Sequence, residues 1–447
     1  MTEHPTPPER PPAGVRLAEV EELEVTVEKL VAGGDGLARF EGIPIFVPRS
    51  APGDRLRVRL TDRRPDYGRA EIVEILAPGP ERREAPCHHF TRCGGCDLQH
   101  IEDAAQVRHK AAAVLETLAR LGGIEPPADL QVVAGAPWAY RLRTQLHTRG
   151  EGEAVEVGYH QRGSHELVAV EECPILVPEL ERLLPDLPAR LGAGAREGRP
   201  PRRLDLATGD GAEVTTAPVV EGLPHGPVDL TLALPGGPIT YQFDARCFFQ
   251  AHRGLVAELA ARAVGPWTGE DAFDLYAGVG LFSLPLARRY DRVTAIEADR
   301  IAARYARNNA RTNKLPNLDL IAQSVDTWAA NLPPGAARVL VDPPRGGLTL
   351  RLRAVLMERL PKRLTYVSCH PATLARDLRR LVGAYRLESL VLLDLFPQSG
   401  HMEAVAQLLC LAPREEARAN LREAGLVSTR GESSVGPRRR ETAVLLR

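Results

Sequence analysis

The sequence has no apolar run approaching the roughly 20 residues that a membrane-spanning helix needs. Residues 1–14 are rich in Pro, Glu and Thr and lack the cationic and then apolar order of a secretory signal. Both absences argue against a membrane or secreted protein. We therefore expect a cytoplasmic protein that does not act at membranes, with residues 1–19 as a flexible leader.

Lysine is scarce, with four of the 57 basic residues, and the formal net charge is -1. A strongly basic domain is the usual footprint of a nucleic-acid-binding protein, so the overall charge does not indicate RNA. Arginine is nevertheless dense in places: nine lie between residues 49 and 83, and a second cluster contains Arg196, Arg199, Arg202 and Arg203. Arginine suits phosphate, but the Arg-rich composition of the whole chain is the stronger explanation of these clusters.

A chain of 447 residues is long enough for about three domains. Short alternating stretches separated by turns predict a small closed OB-like barrel over residues 20–79, an architecture that binds nucleic acid. Residues 80–246 predict a mainly β middle domain with one amphipathic helix at 101–121, which could pack on the catalytic domain. The predicted strands of the barrel are 24–27, 43–47, 56–60 and 70–75.

Strands and helices alternate over residues 247–412, which predicts an α/β domain with a Rossmann-like, doubly wound and mostly parallel sheet. The fold class is therefore α/β, with an N-terminal barrel and a mainly β middle domain. Residues 413–447 contain eight Arg and no clear pattern, and we interpret them as an Arg-rich tail.

Cys87, Cys93 and Cys96 are spaced so that three thiols can reach one centre, because glycines 94 and 95 allow a tight turn between them. Thiols of cytosolic proteins stay reduced, and thiolates at this spacing bind zinc or an iron-sulfur cluster. Cys173 is the nearest candidate for the fourth ligand of a 4Fe-4S cluster. A zinc site and three unrelated buried cysteines are the alternatives.

A strand at 272–276 runs into a turn containing Gly278 and Gly280 and then into a helix, as in nucleotide-cofactor sites. Glu297, at the end of the following strand, can accept hydrogen bonds from both hydroxyls of a ribose. The turn alone would also suit a nicotinamide enzyme. Ser283, where a dinucleotide fingerprint has its third glycine, favours S-adenosylmethionine.

Three further residues follow or begin strands at the same predicted sheet edge. Asp342, in Asp-Pro-Pro-Arg, can aim its carboxylate at a ligand or lie in a solvent-facing turn. Cys369 alone would more often be a buried small hydrophobe, but its place beside the other motifs favours a nucleophile. Methylating carbon 5 of uracil requires a thiolate to attack carbon 6 and a base to remove the carbon 5 proton, and Glu403 can supply that base.

Residues 20–412 resemble the RNA uracil-5-methyltransferases that carry a TRAM barrel and a 4Fe-4S cluster. The resemblance rests on the four-cysteine pattern, Phe248-Phe249-Gln250, Asp-Leu-Tyr-Ala-Gly-Val-Gly, Asp-Pro-Pro-Arg, Ser-Cys-His-Pro and His-Met-Glu, in that order. It implies that Cys369 is the nucleophile and Glu403 the proton-abstracting base. It further implies cluster ligands at Cys87, Cys93, Cys96 and Cys173, and S-adenosylmethionine contacts at Gln250, Tyr276, Gly278, Gly280, Glu297 and Asp342.

The chain departs from the family pattern at Ala277, Leu281, His252 and His370, which affects the expected cofactor contacts and substrate choice more than the reaction. The resemblance implies an RNA substrate, with ribosomal RNA first and transfer RNA second, and we expect a monomer. A radical methylthiotransferase is the enzyme alternative, although its Cys-x3-Cys-x2-Cys spacing differs. A non-catalytic RNA-binding factor with a decayed methyltransferase domain is the other.

Overall fold

The N-terminal part of the chain forms a closed five-stranded barrel. The computed structural model describes residue 17 and residues 20–127, 130–193 and 200–411, so most of the predicted leader and the predicted tail lie outside the described residues. Alternate apolar side chains of each strand point into the barrel core. The strands are β1 (Glu22–Leu30), β2 (Gly36–Phe40), β3 (Ile43–Val47), β4 (Arg55–Arg63) and β5 (Gly68–Ala77), and β1 pairs with both β2 and β4.

The predicted barrel is confirmed, and its four predicted strands correspond to β1, β3, β4 and β5. The fifth strand, β2, was missed because Gly-Leu-Ala-Arg-Phe has three successive buried residues and no polar alternation. The conformation of β2 is determined by its pairing with β1 and β3, and the residue pattern of β2 itself does not reveal these two partners.

The middle of the chain contains one long helix, α1 (Asp103–Thr117), which continues as a π-helical turn over Leu118–Gly122. The elements that follow are β6 (Gln131–Ala134), β7 (Arg143–Arg149), β8 (Glu156–His160), β9 (Leu167–Ala169), α2 (Pro178–Glu181), α3 (Leu187–Ala193), β10 (Arg203–Thr208), β11 (Val214–Ala217), β12 (Val228–Leu234) and β13 (Gly237–Phe243). They include a five-stranded antiparallel sheet of order β11-β10-β7-β8-β9 and a separate hairpin of β12 and β13, and two short helices lie between β9 and β10 of the sheet.

The C-terminal part is a doubly wound domain around an eight-stranded sheet of order β16-β15-β14-β17-β18-β20-β19-β6, in which β20 is antiparallel to both neighbours. No helix within the described residues is long and apolar enough to cross a membrane. The elements are α4 (Val256–Val264), β14 (Gly269–Leu275), α5 (Ser283–Ala287), β15 (Tyr290–Glu297), α6 (Arg300–Thr312), β16 (Leu318–Ala322), α7 (Val325–Trp328), β17 (Arg338–Val341), α8 (Leu350–Arg359), β18 (Arg363–Ser368), α9 (Pro371–Leu381), β19 (Tyr385–Asp394) and β20 (Glu403–Cys410).

The large sheet includes residues from before the predicted domain boundary at residue 246. Strand β6 pairs in parallel with β19 as the eighth strand, and helix α1 with its π turn packs against α9. The four residues of β6 are too few to show a period, so only the hydrogen bonds offered by the edge of β19 identify it as a strand. Residues before 247 therefore contribute one edge of the sheet.

Candidate active site

Strand β14 runs into a turn with left-handed backbone at Tyr276 (φ 72°), Gly278 (φ 56°) and Gly280 (φ 95°). The left-handed backbone of Gly280 favours glycine, and a β-carbon there would also displace the end of the Leu284 side chain, whose Cδ1 would lie 2.5 Å away. A β-carbon on Gly278 would meet no protein atom within 4 Å. The turn therefore leaves open space next to its backbone.

The predicted cofactor residues gather around this space. Gly278 N donates to Glu297 Oε2 at 2.8 Å, and Asp299 N donates to Glu297 Oε1 at 2.7 Å, which orients a carboxylate whose oxygens can each accept further bonds. Gln250 Nε2 lies 3.5 Å from Asp342 Oδ2. Gly280 and Glu297 do not line the cavity at this turn. Its lining residues are Phe248, Phe249, Gln250, Tyr276, Ala277, Gly278, Val279, Leu281, Phe282 and Asp342.

Three carboxyl groups accompany this cavity, of which Asp274 and Glu403 are buried and Asp342 is half-buried. Burial raises the pKa of Asp274 to about 7, although Ser283 Oγ donates to Asp274 Oδ2 at 2.5 Å. Burial, and then the charge of Asp274, raise the pKa of Asp342 to about 7. Burial and then the charge of Asp342 raise the pKa of Glu403 well above its usual range. Because the carboxylates repel one another, a positively charged ligand would be stabilised here.

Cys369 and Glu403 lie on neighbouring strand ends. Ser368 at the end of β18 pairs with Ala404 of β20, and continuing this antiparallel register places Cys369 opposite Glu403. Burial, followed by the charge of Glu403, raises the pKa of the Cys369 thiol to about 11, whereas the charge of Arg345 acts to lower it. The structure thus brings together the predicted nucleophile and the predicted base.

Arg345 and His401, which the sequence motifs contain without an assigned role, also meet at this edge. Arg345 Nη2 donates to His401 Nε2 at 2.5 Å. Burial, and then the nearby Arg345 charge, lower the pKa of His401 to about 4, so the ring is neutral and can accept this bond. The contact connects the loop after β17 with the loop before β20.

The loop 396–402 leads into Glu403 and is held by distant parts of the chain. Gln398 is fully buried with φ 66°, and its carbonyl accepts from Asp97 N (2.8 Å) and Leu98 N (3.0 Å). Gln106 Nε2 donates to Gln398 Oε1 at 2.9 Å, and Gln398 N donates to Gln106 Oε1 at 3.1 Å. Gln398 Nε2 also donates to Asp103 Oδ1 at 2.7 Å. Helix α1 and the cysteine segment therefore fix this loop together.

The barrel reaches the same loop. Gly33 N donates to Gly400 O at 3.3 Å, and Gly400 N donates to Asp97 Oδ2 at 3.1 Å. At the end of β19, Lys110 Nζ forms a buried ion pair with Asp394 Oδ1 at 2.5 Å. These residues were not predicted from the sequence because each partner lies roughly 280 to 370 residues away along the chain. All of them help to position the strand end that carries Glu403.

The four predicted cluster ligands, Cys87, Cys93, Cys96 and Cys173, line one cavity of about 390 Å³ that also contacts Arg345 and His401. Burial raises the pKa of Cys96 to about 12 and of Cys173 to about 11. In the described part of the chain, no three His, Cys, Asp or Glu side chains are arranged to hold a single metal ion. The structure thus gathers the four thiols around a common space without single-ion geometry.

Comparison with known proteins now decides the family. The sequence model described as tRNA (Uracil-5-)-methyltransferase matches residues 223–333 and 335–410, and that of the TRAM domain matches residues 16–73. The 23S rRNA (uracil(1939)-C(5))-methyltransferase RlmD of Pectobacterium atrosepticum is 36% identical over 435 residues, covering 87% of this chain and 93% of the relative. The chain belongs to the RNA uracil-C5-methyltransferase family.

Two other similar proteins extend the comparison. An uncharacterized RNA methyltransferase of Thermosynechococcus vestitus is 31% identical and covers 86% of this chain and 97% of its own. The crystal structure of Pyrococcus abyssi tRNA (uracil-54, C5)-methyltransferase in complex with S-adenosyl-L-homocysteine has a TM-score of 0.67 at 24% identity. It covers 87% of this chain and 100% of its own, which supports the fold.

Family membership confirms the predicted enzyme class, an RNA (uracil-C5)-methyltransferase that uses S-adenosylmethionine, and confirms the TRAM barrel. The comparisons favour neither the radical methylthiotransferase nor the non-catalytic RNA-binding factor.

Proposed function

We propose that this enzyme methylates carbon 5 of a uridine in 23S rRNA, with Cys369 as covalent nucleophile and Glu403 as base. The observation that carries the proposal is the β18–β20 register, which places Cys369 opposite Glu403 beside the cavity lined by Gln250 and Asp342. The ribosomal target is supported by the relatives named for uracil 1939 of 23S rRNA, which this chain matches over most of its length.

S-adenosylmethionine, when bound, supplies the methyl group. The Glu297 carboxylate is oriented to accept ribose hydroxyls, and Asp342 places negative charge where a cationic ligand is favoured. The Cys369 thiolate adds to carbon 6 of the uracil, which makes carbon 5 nucleophilic. After methylation Glu403 takes the carbon 5 proton, and the electron pair of that C–H bond reforms the ring double bond and expels the Cys369 sulfur.

Trapping tests this assignment, because fluorine at carbon 5 cannot be removed as a proton. We expect 23S rRNA containing 5-fluorouridine to form a denaturation-resistant adduct with the wild type and with Cys410→Ala, a control at a cysteine on β20, but not with Cys369→Ala. An adduct with Cys369→Ala would disprove the nucleophile. Nucleoside mass spectrometry of methylated transcripts identifies the target, and methylation of tRNA but not of 23S rRNA would reverse the order of substrates.

We also propose that Cys87, Cys93, Cys96 and Cys173 hold a 4Fe-4S cluster. The support is their common cavity together with the preference of clustered thiolates for soft metals. Gly95 N lies 3.4 Å from Cys93 Sγ, a backbone N–H···S contact that suits a thiolate ligand. Anaerobically purified protein should contain iron and sulfide in equal amounts, and zinc without iron would overturn the assignment.

A further inference from the structure

The nine arginines between residues 49 and 83, called the barrel cluster here, already have partners within the chain. Seven of its nine arginines form ion pairs with Asp or Glu. The other two, Arg49 and Arg63, donate to backbone carbonyls. On β4, for example, Arg57 pairs with Glu74 at 2.6 Å. Arg196 and Arg199 of the second cluster lie outside the described residues. The barrel cluster is therefore largely compensated and does not present a free basic surface.

Helix α6 shows the opposite arrangement. Four cationic side chains of the helix recur at intervals of four, three and four residues, which places them on one helical face, and a fifth, Lys314, follows two residues after the helix ends at Thr312. All five are exposed and none forms an ion pair with a described residue, although Arg307 Nη2 donates to Leu320 O at 3.3 Å. Residues 300–314 contain no Asp or Glu. We call this set the α6 stripe, and it comprises Arg300, Arg304, Arg307, Arg311 and Lys314.

The stripe is rigidly attached to the cofactor turn. The opposite face of α6 is buried, and Asn309 Nδ2 donates to Val279 O at 3.0 Å and to Gln242 O at 3.1 Å. Asn313 Nδ2 donates to Thr240 O at 2.7 Å. With about 1.5 Å of rise per residue, the stripe extends for roughly 20 Å from the end of β15, where Glu297 lies. It therefore begins at the cofactor edge of the domain and leads away from it.

The acidic residues near the stripe do not neutralise it. Asp299 caps the helix, and its Oδ1 accepts from Ile301 N and Ala302 N. Asp319 is exposed on the adjacent edge strand and forms no ion pair within the described residues. The cations consequently provide an uncompensated linear array on a protein whose formal net charge is -1.

We propose that the α6 stripe binds the phosphate backbone of substrate RNA that extends beyond the target nucleotide. This inference rests on the proposed rRNA methylation. Arginine donates paired bonds to phosphate oxygens, and a linear array of cations matches the regularly spaced charges of a nucleic-acid strand. Such contacts position the RNA without reading its sequence, so the stripe increases affinity and leaves the choice of uridine to the active site.

The test is the salt dependence of binding to a full-length 23S rRNA transcript. Each phosphate contact contributes about 0.7 to 0.9 to the slope of log affinity against log salt. For Arg304→Gln/Arg307→Gln/Arg311→Gln we expect the slope to fall by about 2 and binding near ~0.15 M salt to weaken about 10- to 100-fold. The KM for RNA should rise similarly, with kcat at saturating RNA unchanged.

A matched control removes three exposed arginines that form no ion pair with a described residue and lie on other helices of the same domain: Arg351→Gln/Arg379→Gln/Arg380→Gln. Its net charge equals that of the stripe variant, so a general charge effect would weaken both equally. An unchanged salt slope in the stripe variant, or equal losses in the two variants, would overturn the proposal. Failure of the wild type to methylate 23S rRNA would instead overturn the proposed function, and the two failures are thus distinguishable.

Discussion

Truncating Gln398 should separate the two chemical halves of the reaction. In Gln398→Ala the side chain loses its bonds with Gln106 (2.9 Å) and Asp103 (2.7 Å), whereas the Gln106 amide keeps its bonds to Leu98 O and Ile101 O. A hydrogen bond contributes about 0.5–1.5 kcal/mol. The loop 396–402 should therefore lose roughly 1–3 kcal/mol of its preference for the arrangement that positions Glu403.

The destabilised loop should slow proton abstraction by Glu403 and leave the attack by Cys369 unchanged, because Cys369 follows a different strand from the loop. At about 1.4 kcal/mol per tenfold, 1–3 kcal/mol corresponds to roughly 5- to 150-fold slower release of product. Since release follows methyl transfer, a single-turnover reaction quenched with denaturant should accumulate methylated RNA still bound to Cys369. Gel mobility and mass spectrometry of the adduct measure this directly.

The control is Asn317→Ala, which also removes an amide with two hydrogen bonds, to Ala287 O and Tyr290 O, each at 2.8 Å. It should lower the melting temperature comparably without trapping RNA. If Gln398→Ala destabilised the protein to the same extent as this control and released product at the wild-type rate, the positioning role of the loop would be refuted.

Three other changes follow from the site. Adduct formation on 5-fluorouridine RNA should accelerate as pH rises towards about 11, because burial raises the pKa of Cys369. Arg345→Gln should move the midpoint of this pH–rate profile higher, because the Arg345 charge acts to lower that pKa. A midpoint unaffected by this variant would contradict the role of Arg345. Lys110→Met should lower the free energy of unfolding by about 3–5 kcal/mol, measured with denaturant, because it leaves Asp394 buried without its cation. Lys110→Met/Asp394→Leu should recover most of that stability. No recovery would show that the unpaired charge is not the cause. Gly278→Ala should raise the KM for S-adenosylmethionine because its β-carbon enters the open space at the turn, and a wild-type KM would place the cofactor elsewhere.

The sequence predicted the parts of the fold in which local pattern and tertiary environment agree. Strand β3 was predicted at its observed bounds, since Ile43–Val47 alternates and turns flank it. Strand β2 and strand β6 were missed, because each is short and takes its conformation from hydrogen bonds to a neighbour. The same distinction applies to charge: the arginines between 49 and 83 suggested a basic surface, whereas ion pairs within the chain compensate most of them.

For the candidate site, the sequence by itself determined which chemical groups follow which strands: the turn at Gly278, the acid at Asp342, the thiol at Cys369 and the carboxyl at Glu403. Such groups can be read locally, because strand ends, glycine turns and short motifs are properties of neighbouring residues. Only the tertiary structure decided that Gln398 meets Gln106, which lies 292 residues away, and that burial raises the pKa of Cys369. Hydrogen-bond partners and desolvation depend on how distant segments pack, and no local pattern contains that information.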